Sequence, residues 1–523
     1  MTVPTSKEPS SLYVLGSTLA AAAVGTCALV FRKQLRTSTI KNPTERFLSK
    51  TEVRLLRERY FSKSVSVSYS NTDPLMIIGG KGCKLHDSSG RSFLDTRNNV
   101  SHVGHSNPGV VEAVQQQVAS LNTNTRYLHP NASLLAQRLA NLLPSSLEVV
   151  FLVNSGSEAN DLALRLARAA TKCKNTIVVD RAYHGHTLAC LEVSPYKYEN
   201  SKEFVLEKQR ENEPVGLSNP QTPGKHIWKV PCPDTFRGPH RGSNAGKEYA
   251  QYVENACRVY QQERNEGVGA IIMEGGMSVA GVILPPSSYL EHSVNSVRSA
   301  GGIYIADEIQ TGFGRLGPSY WGFQHMACNA GENSLPPVVP DIVTIGKPFG
   351  NGMPLAAVVT TRNISNEFEA MGVEYFNTFG GNPVCAAAGL AVLDAIESGS
   401  LQNHAKDVGT YMIDQFRMLG ERLGIIGDVR GSGLFVGIEL VRDRDPSSLE
   451  PAGPETSFIC ATLKDKYQIL TSIDGTHDNV LVVKPPMTFS KEDVDRFVGC
   501  FELAVSKDLA NFPQISDITK TPT

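Results

Sequence analysis

Along most of the chain, short uninterrupted apolar runs lead into polar turns and then into helical patterns. "EVVFLV" leads into "NSGSEAN", "NTIVVD" into "RAYHGH", and "VGAIIME" into "GGMSVAG". "GGIYIAD" is followed by "EIQTGFGR", and "DIVTI" by "GKPFGNG". Apolar runs of this kind fit strands buried on both faces, so they predict an α/β fold with a mostly parallel sheet covered by helices. Ligands of such sheets bind outside the carboxyl ends of the strands, which makes these polar turns candidates for one shared site.

Two regions break the alternation. Residues 199–226 are polar, carry Pro and Gly, and read as a surface insertion. After residue 385 the pattern turns helical ("AAAGLAVLDAIESG", "HAKDVGTYMIDQFRMLGERLG"), then gives short strands in "GLFVGIEL" and "NVLVVKPP". This predicts a smaller α+β lobe. The expected division is an N-terminal segment at 1–50, part of the small domain at 51–115, a large domain at 116–384, the C-terminal small domain at 385–510, and a tail at 511–523.

Composition narrows the class. The 523 residues are 41% apolar and 20% charged with a net charge of -2, which lacks the basic excess of a nucleic-acid surface. Ten cysteines lie scattered from Cys27 to Cys500 without a C-x-x-C pair, the usage of reduced thiols in a large chain. Residues 11–31 carry no charge and are followed by Arg32, Lys33 and Arg36. About 20 apolar residues span a bilayer, so this stretch reads as a single-pass membrane anchor that leaves the remaining chain in the cytosol. Glu8 is the one acid in residues 1–40, so a cleaved mitochondrial presequence is the alternative, and the Ala run also suits a signal core.

Three turns carry candidate chemistry. Ala159, Leu162, Ala163, Leu166 and Ala170 fall at helical spacing, placing Gly156 and Ser157 at a helix N-terminus that attracts phosphate or is simply capped. Asp307 ends an apolar strand, with Gln310 close behind; a buried carboxylate there needs a cation, either an internal arginine or a protonated ring nitrogen. No His or Cys lies at metal-ligand spacing nearby, so no metal is expected. Lys347 follows the apolar run "DIVTI"; it either snorkels to water or, desolvated, acts as an amine nucleophile. Together, a phosphate-holding helix end, an acid, an aromatic and a lysine are what pyridoxal phosphate needs.

"NSGSEAND", "AYHGH", "IADEIQTGFGR", "TIGKPFGNGMP" and "YFNTFGGNP" resemble the class-III aminotransferase family of fold-type I pyridoxal-phosphate enzymes, over about residues 55–505. The resemblance implies pyridoxal 5'-phosphate as cofactor and a homodimer, or dimer of dimers, with sites at the subunit interface. It also implies roles. Lys347 would carry the cofactor as a Schiff base and, once released by substrate, move the substrate's Cα proton. Asp307 would keep the ring nitrogen protonated, Tyr183 would stack on the ring, and Gln310 would touch its hydroxyl. Gly156 and Ser157 would hold the phosphate, and Thr378 would reach the phosphate of the other subunit. Arg430, in "VRGSGLF", matches an arginine that grips a substrate carboxylate in many members.

Departures from the family pattern point to a branch. His186 stands where ω-amino-acid members have a carboxylate-gripping arginine, and Val279 where they have a charge-switching glutamate. Without that glutamate Arg430 is expected to stay available to an anion. "NTNTRYLHP", "EVSPYKY", "PDTFRG" and "SIDGTHDNVLVVKPPMTF" are similar to the phospho-lyase branch acting on ethanolamine phosphate or phosphohydroxylysine. The expected activity is therefore release of phosphate and ammonia from an O-phosphorylated amine, with Arg430 and Arg126 binding the phosphate. A transaminase using pyruvate or glyoxylate is the alternative, since "GPSYWGFQ" suits the alanine–glyoxylate branch as well. A membrane-tethered scaffold with a dead site is a third reading, and Lys347, Asp307 and Gln310 speak against it.

Overall fold

The computed structural model describes residues 48–70, 73–199, 223–328 and 338–509. The anchor or presequence expected at 11–31, most of the insertion expected at 199–226, and the tail lie outside the described residues. Among the described residues no single helix is long and apolar enough to cross a membrane.

The described residues divide into two compact units, one ending at Met76 and one beginning at Ile77. In the first, the helix Lys50–Tyr60 is closed at its start by a capping box between Ser49 and Glu52. Arg57 in its last turn donates to the carbonyls of Val65 and Ser66, which ties the following segment back onto the helix.

The second unit is built on a seven-stranded sheet. Its strands, among β1–β15 of the described residues, are β4 (Val149–Val153), β5 (Thr176–Val179), β6 (Ile227–Val230), β7 (Ala270–Glu274), β8 (Ile303–Asp307), β9 (Ile342–Ile345) and β10 (Ala356–Thr360). They lie in the order β4-β10-β9-β8-β7-β5-β6. Every residue of β5, β7, β9 and β10 is buried, as strands covered on both faces require. All pairs from β9 to β6 are parallel, while β10 runs antiparallel to both its neighbours. The exception has a simple cause. Only residues 346–355 separate β9 from β10, and a parallel return needs a crossover of about a dozen residues or more. The chain turns back as a hairpin instead, and Lys347 sits in that turn.

The helix Gly156–Thr171 covers one face of the sheet. Ala159, Leu162, Ala163 and Leu166 are at most 1% exposed and pack with Val178, Ile272, Ile305, Ile342 and Val358. Full burial of each larger side chain contributes about 1.5–3 kcal/mol. The C-terminal part adds helices Pro383–Ser398 and Leu401–Arg422 and an antiparallel sheet of β11 (Ile426–Ser432), β12 (Phe435–Leu440), β14 (Ser472–Asp474) and β15 (Val480–Val483), in the order β11-β12-β15-β14. A third sheet joins β1 (Ile77–Lys81), β2 (Lys84–Asp87) and β3 (Ser92–Asp95) to β13 (Ile469–Leu470), which pairs parallel to β3. Residues near both ends of the second unit therefore share one small sheet.

Gly409 lies inside the helix Leu401–Arg422 and against Gly433, where a Cβ would stand 2.0 Å from the Gly433 carbonyl oxygen. Alanine normally stabilises a helix interior by about 1 kcal/mol over glycine. Here the clash reverses the sign: Gly409→Ala is expected to lower unfolding stability by about 1–3 kcal/mol, read by chemical denaturation.

Candidate active site

Because β5, β7, β8 and β9 are parallel, and β4 aligns with them through β10, their carboxyl ends open on one edge of the sheet. Asp307 ends β8 there and is 3% exposed. Burying a carboxylate is costly unless donors meet it. Its Oδ2 accepts from Asn160 Nδ2 at 2.8 Å and lies 2.8 Å from His184 Nδ1, while Oδ1 accepts the Ile309 N–H at 3.1 Å. Asn160 is fixed in turn by Thr344 Oγ1, 2.7 Å from its Oδ1, and by its own bond to the His184 carbonyl at 2.7 Å. The other ring nitrogen of His184, Nε2, is buried and without a partner among the described residues.

Glu274 ends β7 directly beside Asp307 in register. Burial pushes its carboxyl up to about 7; His184 pulls it down and Asp307 adds to the rise. It accepts the N–H of Tyr183 at 3.1 Å and that of Ser278 at 3.4 Å. The neighbouring acid Glu308 points elsewhere, taking the N–H groups of Gly322 and Phe323 and the Thr311 hydroxyl, each at 2.8 Å.

Lys347 opens a short 3-10 turn after β9. No hydrogen bond or ion pair engages its Nζ among the described residues. Desolvation lowers its pKa, with Asp307, Glu274 and Asp474 pulling the other way. Tyr183 is half-buried, edge-on to Tyr196 with ring centroids 6.2 Å apart, and burial raises its phenol. Gln310 accepts at Oε1 from Asn99 at 3.0 Å and from Lys484 Nζ at 3.4 Å.

Gly156 and Ser157 are the first residues of a 16-residue helix capped by Ser155, whose Oγ accepts the Glu158 N–H at 3.2 Å. The N–H groups of Gly156 and Ser157 have no acceptor among the described residues. They therefore present an open anion cradle on the side of Asp307 and Lys347.

Three expected residues do not join this group. Arg126 is well exposed, 3.4 Å from Glu374 and over the Phe376 ring at 4.3 Å, with no contact to the Lys347 cluster in its own chain. Thr378 is exposed on the same segment as Glu374 and Phe376. Arg430, expected to stay available to an anion, is engaged by acids through one of its nitrogens. Its Nη1 meets Glu439 Oε2 at 2.6 Å and Asp428 Oδ2 at 2.8 Å, and its Nε donates to the Gly281 carbonyl at 2.9 Å. Burial opposes its charge, but Glu439 and Asp428 outweigh that and raise its pKa.

Sequence reasoning missed Glu274, Asn160, His184 and Lys484. Lys484 is the most consequential. Its Nζ donates to Ser278 Oγ at 2.7 Å, and no carboxylate forms an ion pair with it among the described residues. Burial lowers its pKa to about 8, against the pull of Asp474 and with a push from Lys347. "VLVVKPP" repeats the signal in "DIVTIGKP": an apolar run ending near a lysine and proline.

Residues 65–505 match the family described as aminotransferase class-III. The chain belongs to that family. It is 43% identical over 456 residues to "Alanine--glyoxylate aminotransferase 2-like" of Drosophila melanogaster, covering 86% of each chain. It is 38% identical to "Ethanolamine-phosphate phospho-lyase homolog 1" of Caenorhabditis elegans, covering 85% of this chain and 91% of the relative. A phospholyase from Arthrobacter, solved in complex with phosphoethanolamine, superposes with a TM-score of 0.76 at 35% identity, over 88% of this chain and 100% of that one.

This class-III aminotransferase is thus a fold-type I enzyme that depends on pyridoxal 5'-phosphate. The residues fit that group: Lys347 offers an unengaged amine for its aldehyde carbon, Asp307 a fixed carboxylate for its ring nitrogen, and Gly156 and Ser157 two unpaired N–H groups for its phosphate. Lys347→Ala is expected to leave no cofactor fixed by borohydride and to lower turnover by at least about 10³-fold. Mass spectrometry of the reduced protein checks the first, and steady-state rates the second.

Proposed function

We propose that the enzyme eliminates phosphate and ammonia from an O-phosphorylated primary amine such as ethanolamine phosphate or phosphohydroxylysine. The observation that carries this reading is Lys484, a partly buried cation that no carboxylate pairs directly among the described residues, placed beside Gln310 and within the fields of Asp474 and Lys347. Arg430, the position expected to grip a substrate carboxylate, already has two carboxylates. A site with its arginine neutralised and a lysine left over suits a phosphate better than a second carboxylate. The Caenorhabditis relative and the Arthrobacter neighbour support the same choice.

In this reading Lys347 carries the cofactor, Asp307 holds its ring nitrogen protonated, and Tyr183 stacks on the ring. Gln310 turns its amide donor end to the ring hydroxyl, since its carbonyl end is occupied, and Gly156 and Ser157 hold the cofactor phosphate. When bound, the cofactor supplies an electron sink. The freed Lys347 amine takes the proton from the amine-bearing carbon, and Lys484 holds the substrate phosphate. Electrons of the broken C–H bond end in a C=C bond as the C–O bond breaks, and its pair leaves on the phosphate oxygen. Water then releases ammonia and the aldehyde. Thr378 acts in the site of a second copy of the chain; it lies on the surface near exposed Tyr127, Leu128 and Phe379, a patch suited to a dimer contact.

Incubation with ethanolamine phosphate and no keto acid is expected to release phosphate and ammonia in equal amounts. No release, but turnover of an amine once pyruvate or glyoxylate is added, would instead support the transaminase reading that the Drosophila relative favours.

Lys484→Ala is expected to raise KM for the phosphorylated amine about 10–100-fold, the scale of a lost charge-assisted contact. The pH dependence has a definite sign. Lys484 is cationic below about 8 and loses its charge above it, under the combined influence of Asp474, Lys347, Glu274 and Arg315. KM should therefore climb above pH 8 in the native enzyme, and climb less in Lys484→Ala.

A further inference from the structure

Residues 484–487 read Lys-Pro-Pro-Met, so two consecutive residues have no N–H to donate. The stretch also follows the end of β15 and leaves the sheet ladder. Its main-chain groups are satisfied from elsewhere: the Lys484 N–H by the Thr96 carbonyl at 2.8 Å, and the Met487 N–H by the His102 carbonyl at 2.7 Å. The Pro485 carbonyl accepts from Arg315 Nη1 at 2.8 Å.

Arg315 is fully buried and has no carboxylate partner among the described residues. Its Nη1 also donates to the Leu434 carbonyl at 3.0 Å, while its own carbonyl accepts the Leu434 N–H at 3.0 Å. Nη2 lies 3.1 Å from His102 Nδ1, and His102 Nε2 lies 3.0 Å from the Phe313 carbonyl. With Nε2–H donating to Phe313, His102 is neutral and accepts at Nδ1 from Arg315. Burial and the Arg315 charge both oppose its protonation. An arginine sealed this way keeps an uncompensated charge inside the fold, and burial lowers its own pKa only to about 9.

We propose that Arg315 is a positioning residue for the Lys484 anion site. From inside the fold it fixes the backbone that carries Lys484 and adds a second positive charge behind it. The proposal rests on the reading of Lys484 as the holder of the substrate phosphate. The Arg315 charge reaches Lys484, where it opposes protonation until an anion arrives. A dianionic phosphate held by Lys484 would then feel a second positive charge behind it, from an arginine that no carboxylate pairs among the described residues. Lysine cannot replace Arg315 here, because one ammonium does not reproduce the planar fork that serves two carbonyls and an imidazole at once.

The test is competitive inhibition by inorganic phosphate of the holoenzyme acting on ethanolamine phosphate. Arg315→Lys is expected to raise the inhibition constant of phosphate and the KM by about tenfold, with kcat altered less and the cofactor absorbance intact. His102→Leu, which removes one acceptor of the guanidinium, should shift both constants the same way. His102→Gln, whose amide oxygen can still accept, should restore them. If Arg315→Lys lowers only thermal stability while phosphate inhibition is unchanged, the proposal is overturned. If Arg315→Lys does not fold, equal inhibition constants in the two His102 variants overturn it instead. Lys484→Ala separates the two levels: loss of phosphate affinity there, without loss in the Arg315 and His102 variants, rejects this inference and keeps the anion site. Unchanged affinity in Lys484→Ala rejects the anion site itself.

Discussion

Asp307 sets a carboxyl group inside a sheet that excludes water, and much of the site is arranged around meeting its oxygens with donors. Its donors come from three separate segments: Asn160 on the helix after β4, His184 on the turn after β5, and the Ile309 N–H on its own turn. Asn160 also takes a bond from Thr344 on β9, so one amide ties the helix to two adjacent strands. Holding the helix there places the unpaired N–H groups of Gly156 and Ser157 at the sheet edge where Lys347 turns out of β9.

The second organising feature is how positive charge is distributed. Arginine stays charged wherever it is placed, so its usefulness to a substrate depends on what else it touches. Arg430 touches Glu439 and Asp428 and serves to hold β11 to its surroundings. Arg315 touches carbonyls and an imidazole, with no carboxylate partner among the described residues. The two lysines, Lys347 and Lys484, are the adjustable members. Burial lowers both; Asp307, Glu274 and Asp474 oppose that at Lys347, and Asp474 and Glu274 at Lys484. Lys484, lowered to about 8, can change its charge when a ligand arrives, which a solvated lysine does not do at that pH.

Much of this was legible along the chain. Apolar runs without alternation announced a sheet buried on both faces, and β5, β7, β8 and β9 all follow from them. The residues ending those runs supplied Asp307, Gln310, Tyr183 and Lys347, and the helical spacing after "NSGSEAN" placed Gly156 and Ser157. The antiparallel β10 was not foreseen because "LAAVVTT" looks like any other buried strand; its direction depends on the shortness of the connection before it. Lys484 was overlooked although its local signal matches that of Lys347, since its importance comes from Ser278 and Gln310, distant in sequence.

The sequence by itself determined which chemical groups stand at the strand ends and in what order, because periodicity and turn chemistry are local properties of the chain. Tertiary structure decided which of those groups keep charge to offer. Arg430 and Lys484 are both basic residues of the C-terminal sheet region; Asp428, two residues before Arg430, is a local sign of its pairing, but Glu439 comes from the next strand. The rest of the difference lies across the fold: Glu439 pairs directly with the guanidinium, while the amine hydrogen-bonds a hydroxyl and an amide and feels Asp474 without an ion pair. Electrostatic neutralisation acts over a few ångströms in space, whatever the separation along the chain, so it is visible only once the chain has folded.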